Sequence, residues 1–114
     1  MADTVFGKII RGELPAERLY ESEHVLAFRD ISPVAPTHIL VIPKRAIRNA
    51  LAVTSEDKAL VGEMVFAAAQ IAREQGIDET GYRLVMNIGR DGGESVPHLH
   101  MHLLGGRAMT WPPG

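Results

Sequence analysis

Cysteine is absent from this chain of 114 residues, which removes disulfides, thiolate metal sites and cysteine nucleophiles together. A large excess of one charge is lacking as well. Lys and Arg number 12 against 14 Asp and Glu, for a formal net charge of −2, and the basic residues are scattered. That balance argues against a nucleic-acid partner and leaves room for a small anionic ligand. No stretch approaches the roughly 18 apolar residues of a membrane span. The N-terminal "MADTVFGKIIRGELPAE" also lacks the apolar core of an export signal, so the expectation is a cytoplasmic protein with no membrane partner. What remains is an ordinary globular composition, 46% hydrophobic and 23% charged, in a length that suits one domain whose core needs no staples. No internal repeat, low-complexity run or dividing linker interrupts it.

Periodicity supplies the elements. "TVFGKII" places Val5, Phe6, Ile9 and Ile10 at helical spacing, with Asp3 or Thr4 as cap and Gly12 as stop. From Arg18 the pattern changes to β-formers in "RLYES", "VLAFRD" and "HILVIPK", which read as a three-strand meander. Ile39 to Ile42 are apolar on both faces, as in a central strand covered on both sides. "TSEDKALVGEMVFAAAQIAREQG" predicts the main helix: Thr54 or Ser55 opens it, Leu60, Val61, Met64, Val65, Ala68, Ile71 and Ala72 form its apolar stripe, and Gly76 closes it. "YRLVMNI" then reads as a strand, followed by the glycine-rich "GRDGGESVP" and a last strand. The fold class is α+β, with about five mainly antiparallel strands, one long helix and a short N-terminal helix.

"VPHLHMHLL" holds three of the five histidines, at alternate positions. On a strand, His98, His100 and His102 share one face and Leu99, Met101 and Leu103 the other, with imidazoles roughly 6.5 to 7 Å apart. A polar outer face on an edge strand is one reading, and a zinc site is another. A His-x-His pair can share one zinc, with His38 or an acidic side chain as the third ligand. The third reading is nucleophilic catalysis at phosphorus, for which a neutral imidazole with one nitrogen tied to a backbone carbonyl is suited. The preceding loop favours this reading: Gly89, Gly92 and Gly93 allow backbone amides close to a phosphate, and Ser95 adds a hydroxyl. Asn87 would lie beside the same spot.

"HLHMHLL" resembles the histidine-triad (HIT) pattern, in which histidines alternate with apolar residues. "FGKII", "AFRDISPVAPTHILVIPK", "GYRLVMN", "DGGESV" and "LLGGRAMTWPPG" are similar to the HINT branch in one register. The resemblance implies a single HIT domain over residues 4–114 and a homodimer that hydrolyses purine nucleoside 5′-phosphoramidates, of adenosine or guanosine, to nucleoside monophosphate and amine. It implies no cofactor and no metal. By the same resemblance His100 is the nucleophile, His102 contacts phosphate and leaving group, and His98 and His38 form a supporting relay, the His98 carbonyl orienting His100. Asn87, Gly93, Glu94 and Ser95 are implied around the phosphate and Asp30 at the ribose hydroxyls. Phe6, Ile9, Phe28 and Ile31, with Val5 and Leu14, are implied around the base, and Trp111 is implied near the partner's site.

Three positions depart from the HINT pattern: Glu94 where many relatives carry glutamine, Pro97 where an aromatic residue is common, and Thr110 in place of a frequent histidine. Two alternatives of other classes stand beside the enzyme. One is a nucleotide-binding regulatory module that acts by protein association, and the other is a metal-dependent hydrolase.

Overall fold

The computed structural model describes residues 3–114. Helix α1, Val5–Ile10, is capped by the Thr4 hydroxyl, which accepts from the Gly7 amide at 3.2 Å. Six residues cannot hold a helix in water unaided. Docking does so here, through buried Phe6 and Ile9.

Five strands follow: β1 Arg18–Glu21, β2 Val25–Arg29, β3 Thr37–Pro43, β4 Tyr82–Val85 and β5 Met101–Gly105. All pairings are antiparallel, in the order β1-β2-β3-β5-β4. The expected meander is β1 to β3, and β3 is buried along its whole length. Its alternation separates two apolar clusters. Ile39 and Val41 join the cluster beneath the long helix, whereas Leu40 and Ile42 join Phe6, Ile9, Leu26 and Phe28 on the opposite face.

The long helix α2 spans Lys58–Glu74 and is entered through a 3-10 turn, Ser55–Asp57, that carries a capping box between Thr54 and Asp57. Gly76, at φ 73°, follows its C-terminus, as expected of a residue that must turn left-handed there. Its buried face is Met64, Ala67, Ala68, Ile71 and Ala72. Val65, expected inside, is 47% exposed, and Phe66 beside it is 55% exposed. The small alanines seat the helix close to the sheet, which rotates Val65 and Phe66 outward. Among the described residues, no helix is long and apolar enough to cross a membrane.

The last strand is shorter than its sequence pattern. Its ladder begins at Met101, opposite Val41, so His98 and His100 lie just ahead of it. β3 ends there in Pro43, which has no amide to donate, and the backbone groups find other partners: the Leu99 amide donates to the Ile47 carbonyl at 2.6 Å. The alternation persists. Leu99, Met101 and Leu103 are buried on the α2 side, while the three imidazoles face α1.

Candidate active site

Strand register brings the histidines together. His38 pairs with Leu104 and Leu40 with His102, so His38 and His102 are diagonal neighbours on one face, within side-chain reach. Their Nε2 and Nδ1 atoms are 2.9 Å apart. The His100 and His102 ring centroids are 5.1 Å apart, closer than the spacing of an ideal strand because His100 precedes the ladder. The Phe6 ring meets His98 and His100 edge-on at 6.0 and 5.0 Å, so the short helix braces both.

Hydrogen-bond partners assign the tautomers. A carbonyl only accepts, so His100 Nδ1, 2.7 Å from the His98 carbonyl oxygen, carries the proton, and its Nε2 holds a free lone pair. His98 Nε2 likewise donates to the Pro43 carbonyl at 2.8 Å. The Val34 amide donates to His38 Nδ1 at 3.1 Å, so the His38 proton sits on Nε2, facing His102 Nδ1 at 2.9 Å and Asp30 Oδ2 at 3.4 Å. His102 Nδ1 then accepts, and Nε2–H remains as the His102 donor. The expected relay between His98 and His38 takes another form: His38 bonds His102, and His98 bonds the end of β3.

Burial favours the neutral form of His38, His98 and His102. It holds His98 and His102 below the ordinary imidazole value, against the hydrogen bond to the Pro43 carbonyl in His98, and the neighbouring His100 imidazole lowers both further. His38 is lowered by burial too, against an upward pull from the Asp30 carboxylate.

Beside the rings lies a cleft of about 480 Å³. Phe6, Ile9, Phe28, Ile31 and Leu14 supply apolar wall, Asp30 and Ser95 supply polar groups, and His100 and His102 reach it from one side. Ile31 is 95% exposed at the rim, available for contact and without a packing role. Asp30 Oδ1 accepts from the Ser32 amide at 2.7 Å, which fixes the carboxylate while lone pairs remain for a ligand. Three expected contacts are not among the lining residues. Asn87 borders a narrow crevice on the other side of His100, with Arg48 and Asn49; Gly93, at φ 76°, shapes the loop; and the Glu94 carboxylate turns toward Asn49 and Arg48.

Asp30, His38 and His102 place one potential ligand atom each within 4.8 Å of one another, which a divalent cation could span. The tautomer opposes this. With Nδ1 accepting from Val34, neutral His38 presents a proton at Nε2 and no lone pair, whereas a ligating histidine donates its other N–H outward. The His38 Nε2 proton faces His102 Nδ1 and Asp30 Oδ2 instead.

A sequence profile of the HIT domain family matches residues 11–109. The chain belongs to the HIT family. An uncharacterized HIT-like protein of Synechococcus elongatus is 55% identical over 98% of this chain and 97% of its own. The purine nucleoside phosphoramidase of Escherichia coli is 52% identical over 94% and 90%. Among solved structures, a HIT family hydrolase of Legionella pneumophila superposes with a TM-score of 0.95 at 48% identity, covering 98% of this chain and all of that one. The five-stranded antiparallel sheet with its long and short helices is the HIT fold.

Sequence reasoning missed Val34, which acts through its amide, and Asn49, 45 positions from the Glu94 it touches. Neither has a local signature. Trp111, in the tail after β5, is 80% exposed.

Proposed function

We propose that this HIT protein hydrolyses purine nucleoside 5′-phosphoramidates, of adenosine or guanosine, to the nucleoside monophosphate and an amine through a nucleotidyl intermediate on His100. One observation carries the reading: the His98 carbonyl ties up His100 Nδ1 and leaves the Nε2 lone pair free beside a cleft with an ionisable carboxylate, Asp30, in its wall. The 52% identity to a purine nucleoside phosphoramidase supports it.

Nε2 of His100 attacks the α-phosphorus, and the P–N bond to the amine breaks. His102, protonated as the anionic substrate binds, gives its Nε2 proton to the leaving amine and returns to the neutral ring, whose Nδ1 faces His38 Nε2–H. Water then attacks phosphorus, gives a proton to His102 and breaks the P–Nε2 bond, which restores both rings. Ser95 and the amides around Gly93, with Asn87, steady the phosphate, and Asp30 accepts from the ribose hydroxyls. Phe6, Ile9, Phe28 and Ile31 enclose the base. These steps call on no metal or cofactor. In this reading residues 4–114 form one domain that works in the cytoplasm.

The protein acts as a homodimer. Exposed Val65 and Phe66 on α2 and the open edge of β4 support a second copy as the partner, which would bring the Trp111 tail near the neighbouring site. Sedimentation at micromolar concentration showing only monomer would remove this part.

The deciding experiment is rapid quench of EDTA-treated protein with an adenosine phosphoramidate, followed by intact mass and peptide mapping. An AMP adduct on His100, formed in step with amine release and lost in His100→Ala although AMP still binds, is the expected result. AMP binding without cleavage would transfer the case to a regulatory module, and activity restored only by zinc would transfer it to a metal hydrolase.

A further inference from the structure

The Glu94 side chain is 9% exposed yet does not line the cleft. Its two oxygens have different tasks. Oε1 accepts from Asn49 Nδ2 at 2.7 Å and from the Gly89 amide at 3.1 Å; among the described residues Oε2 faces only the Arg48 guanidinium, at 3.4 Å. The Glu94 amide also donates to the Gly89 carbonyl at 3.0 Å. Residues 89 and 94 thus close the neck of the glycine loop from both sides.

Asn49 continues the connection. Its Oδ1 accepts from the Leu51 and Ala52 amides, at 3.1 and 3.2 Å, and caps the 3-10 turn Ala50–Ala52. Two residues before it, the Ile47 carbonyl takes the Leu99 amide between His98 and His100. The short segment from Ile47 to Asn49 therefore grips both the histidine segment and the loop that carries Gly93 and Ser95. Nothing else in the hydrogen-bond pattern among the described residues ties the loop to the histidines through one intermediary.

We propose that Glu94 is a positioning residue for phosphoryl transfer, its Oε1 and Asn49 forming a brace that fixes the phosphate-facing loop relative to His100. The proposal rests on His100 being the nucleophile. Both gripping bonds fall on one oxygen, so an amide oxygen can replace it. Charge adds the Arg48 contact, and that guanidinium is largely exposed and screened.

The test compares Glu94→Ala, Asn49→Ala, the double variant and Glu94→Gln in full-length protein. Misplacing a reacting group costs rate more than affinity, so each alanine variant should lose about tenfold in kcat with AMP affinity changed less than about threefold. The double variant should be no slower than the slower single, because one brace is being cut twice. Glu94→Gln should recover most of the loss. Additive losses, a glutamine variant as slow as alanine, or unchanged kcat would overturn the proposal. Amide exchange at Gly89 separates it from the catalytic reading. Faster exchange in Glu94→Ala is expected whether or not the wild type turns over, and unchanged exchange would refute the brace itself.

Discussion

Acidification should destabilise this protein in a window set by histidines, well above the range of carboxylates. His38, His98 and His102 all have native pKa values lowered, chiefly by burial, whereas in the unfolded chain each returns to about 6.5. The unfolded state therefore binds protons first, and stability falls as pH drops through the unfolded value, continuing until the native rings titrate. A ring that stays neutral in the native state forfeits about 1.4 kcal/mol between roughly pH 7.5 and 5.5. His38, His98 and His102 all act in this direction, with that figure as the upper limit for each ring and about 4 kcal/mol as the upper limit for the three together. That is a large share of the roughly 5–15 kcal/mol that holds a domain folded. Carboxylates with lowered pKa, such as Glu21 and Glu94, act only below about pH 4.5 and do not overlap. Urea unfolding across this range, followed by far-ultraviolet circular dichroism at fixed protomer concentration, measures the proton difference directly. Tryptophan fluorescence would report poorly, since Trp111 lies exposed in the tail. His98→Gln should remove about a third of the pH dependence. Stability that is flat over the window, or that rises toward acid, would show that the rings are protonated in the native state and would refute the tautomers assigned above.

Three further outcomes follow from packing. Phe6→Ala removes the ring that contacts Phe28, His98 and His100; it should cost about 3–5 kcal/mol in urea unfolding, or less if α1 undocks first, and should weaken AMP binding in calorimetry. Gly92→Ala would drive its Cβ into the Ile88 carbonyl oxygen, and because backbone must move, a loss of about 1–3 kcal/mol with a distorted glycine-rich loop is expected by thermal melting and NMR shifts. Asp57→Ala deletes the buried half of the capping box and the partner of Arg45, and should lower stability by about 2 kcal/mol with little change in kcat.

Strands and helices were legible because period carries burial. β3 reads as a continuous apolar run and is buried throughout, and α2 was bounded by its cap and Gly76. The errors arise where tertiary contact overrides period. Val65 fits a helical stripe, but the orientation of α2 follows Ala67 and Ala68, small enough for close approach to the sheet, and no periodic count weighs size. The histidine alternation suggested a strand from His98 onward. The ladder stops at Met101 because β3 ends in Pro43, a long-range consequence invisible in residues 96 to 104. Spacing singles out the histidines, whereas Asp30, Phe6, Ile9, Phe28 and Ile31 are expected at the cleft only through the resemblance to the HINT branch, since their pattern alone reads as packing or turn. The Val34 amide and the Asn49 contact depend on chain crossings far apart in sequence, and the direction of the Glu94 carboxylate follows from them.

The same geometry explains why the site needs the far side of the sheet. Between residues 98 and 103 each histidine is flanked by a residue of the α2-side core: Leu99 and Met101 are each 2% exposed and Leu103 is fully buried. A shift of one residue in this segment would exchange the two faces, burying imidazoles under the helix and putting leucines in the cleft. The apolar cost of that exchange locks the register, and the register in turn places His38 diagonally opposite His102. The α2 core is thus what keeps a 2.9 Å imidazole pair and the carbonyl-tethered His100 ring in place. Proton placement at His100 and His102 is consequently a property of packing on the face of the sheet opposite the cleft.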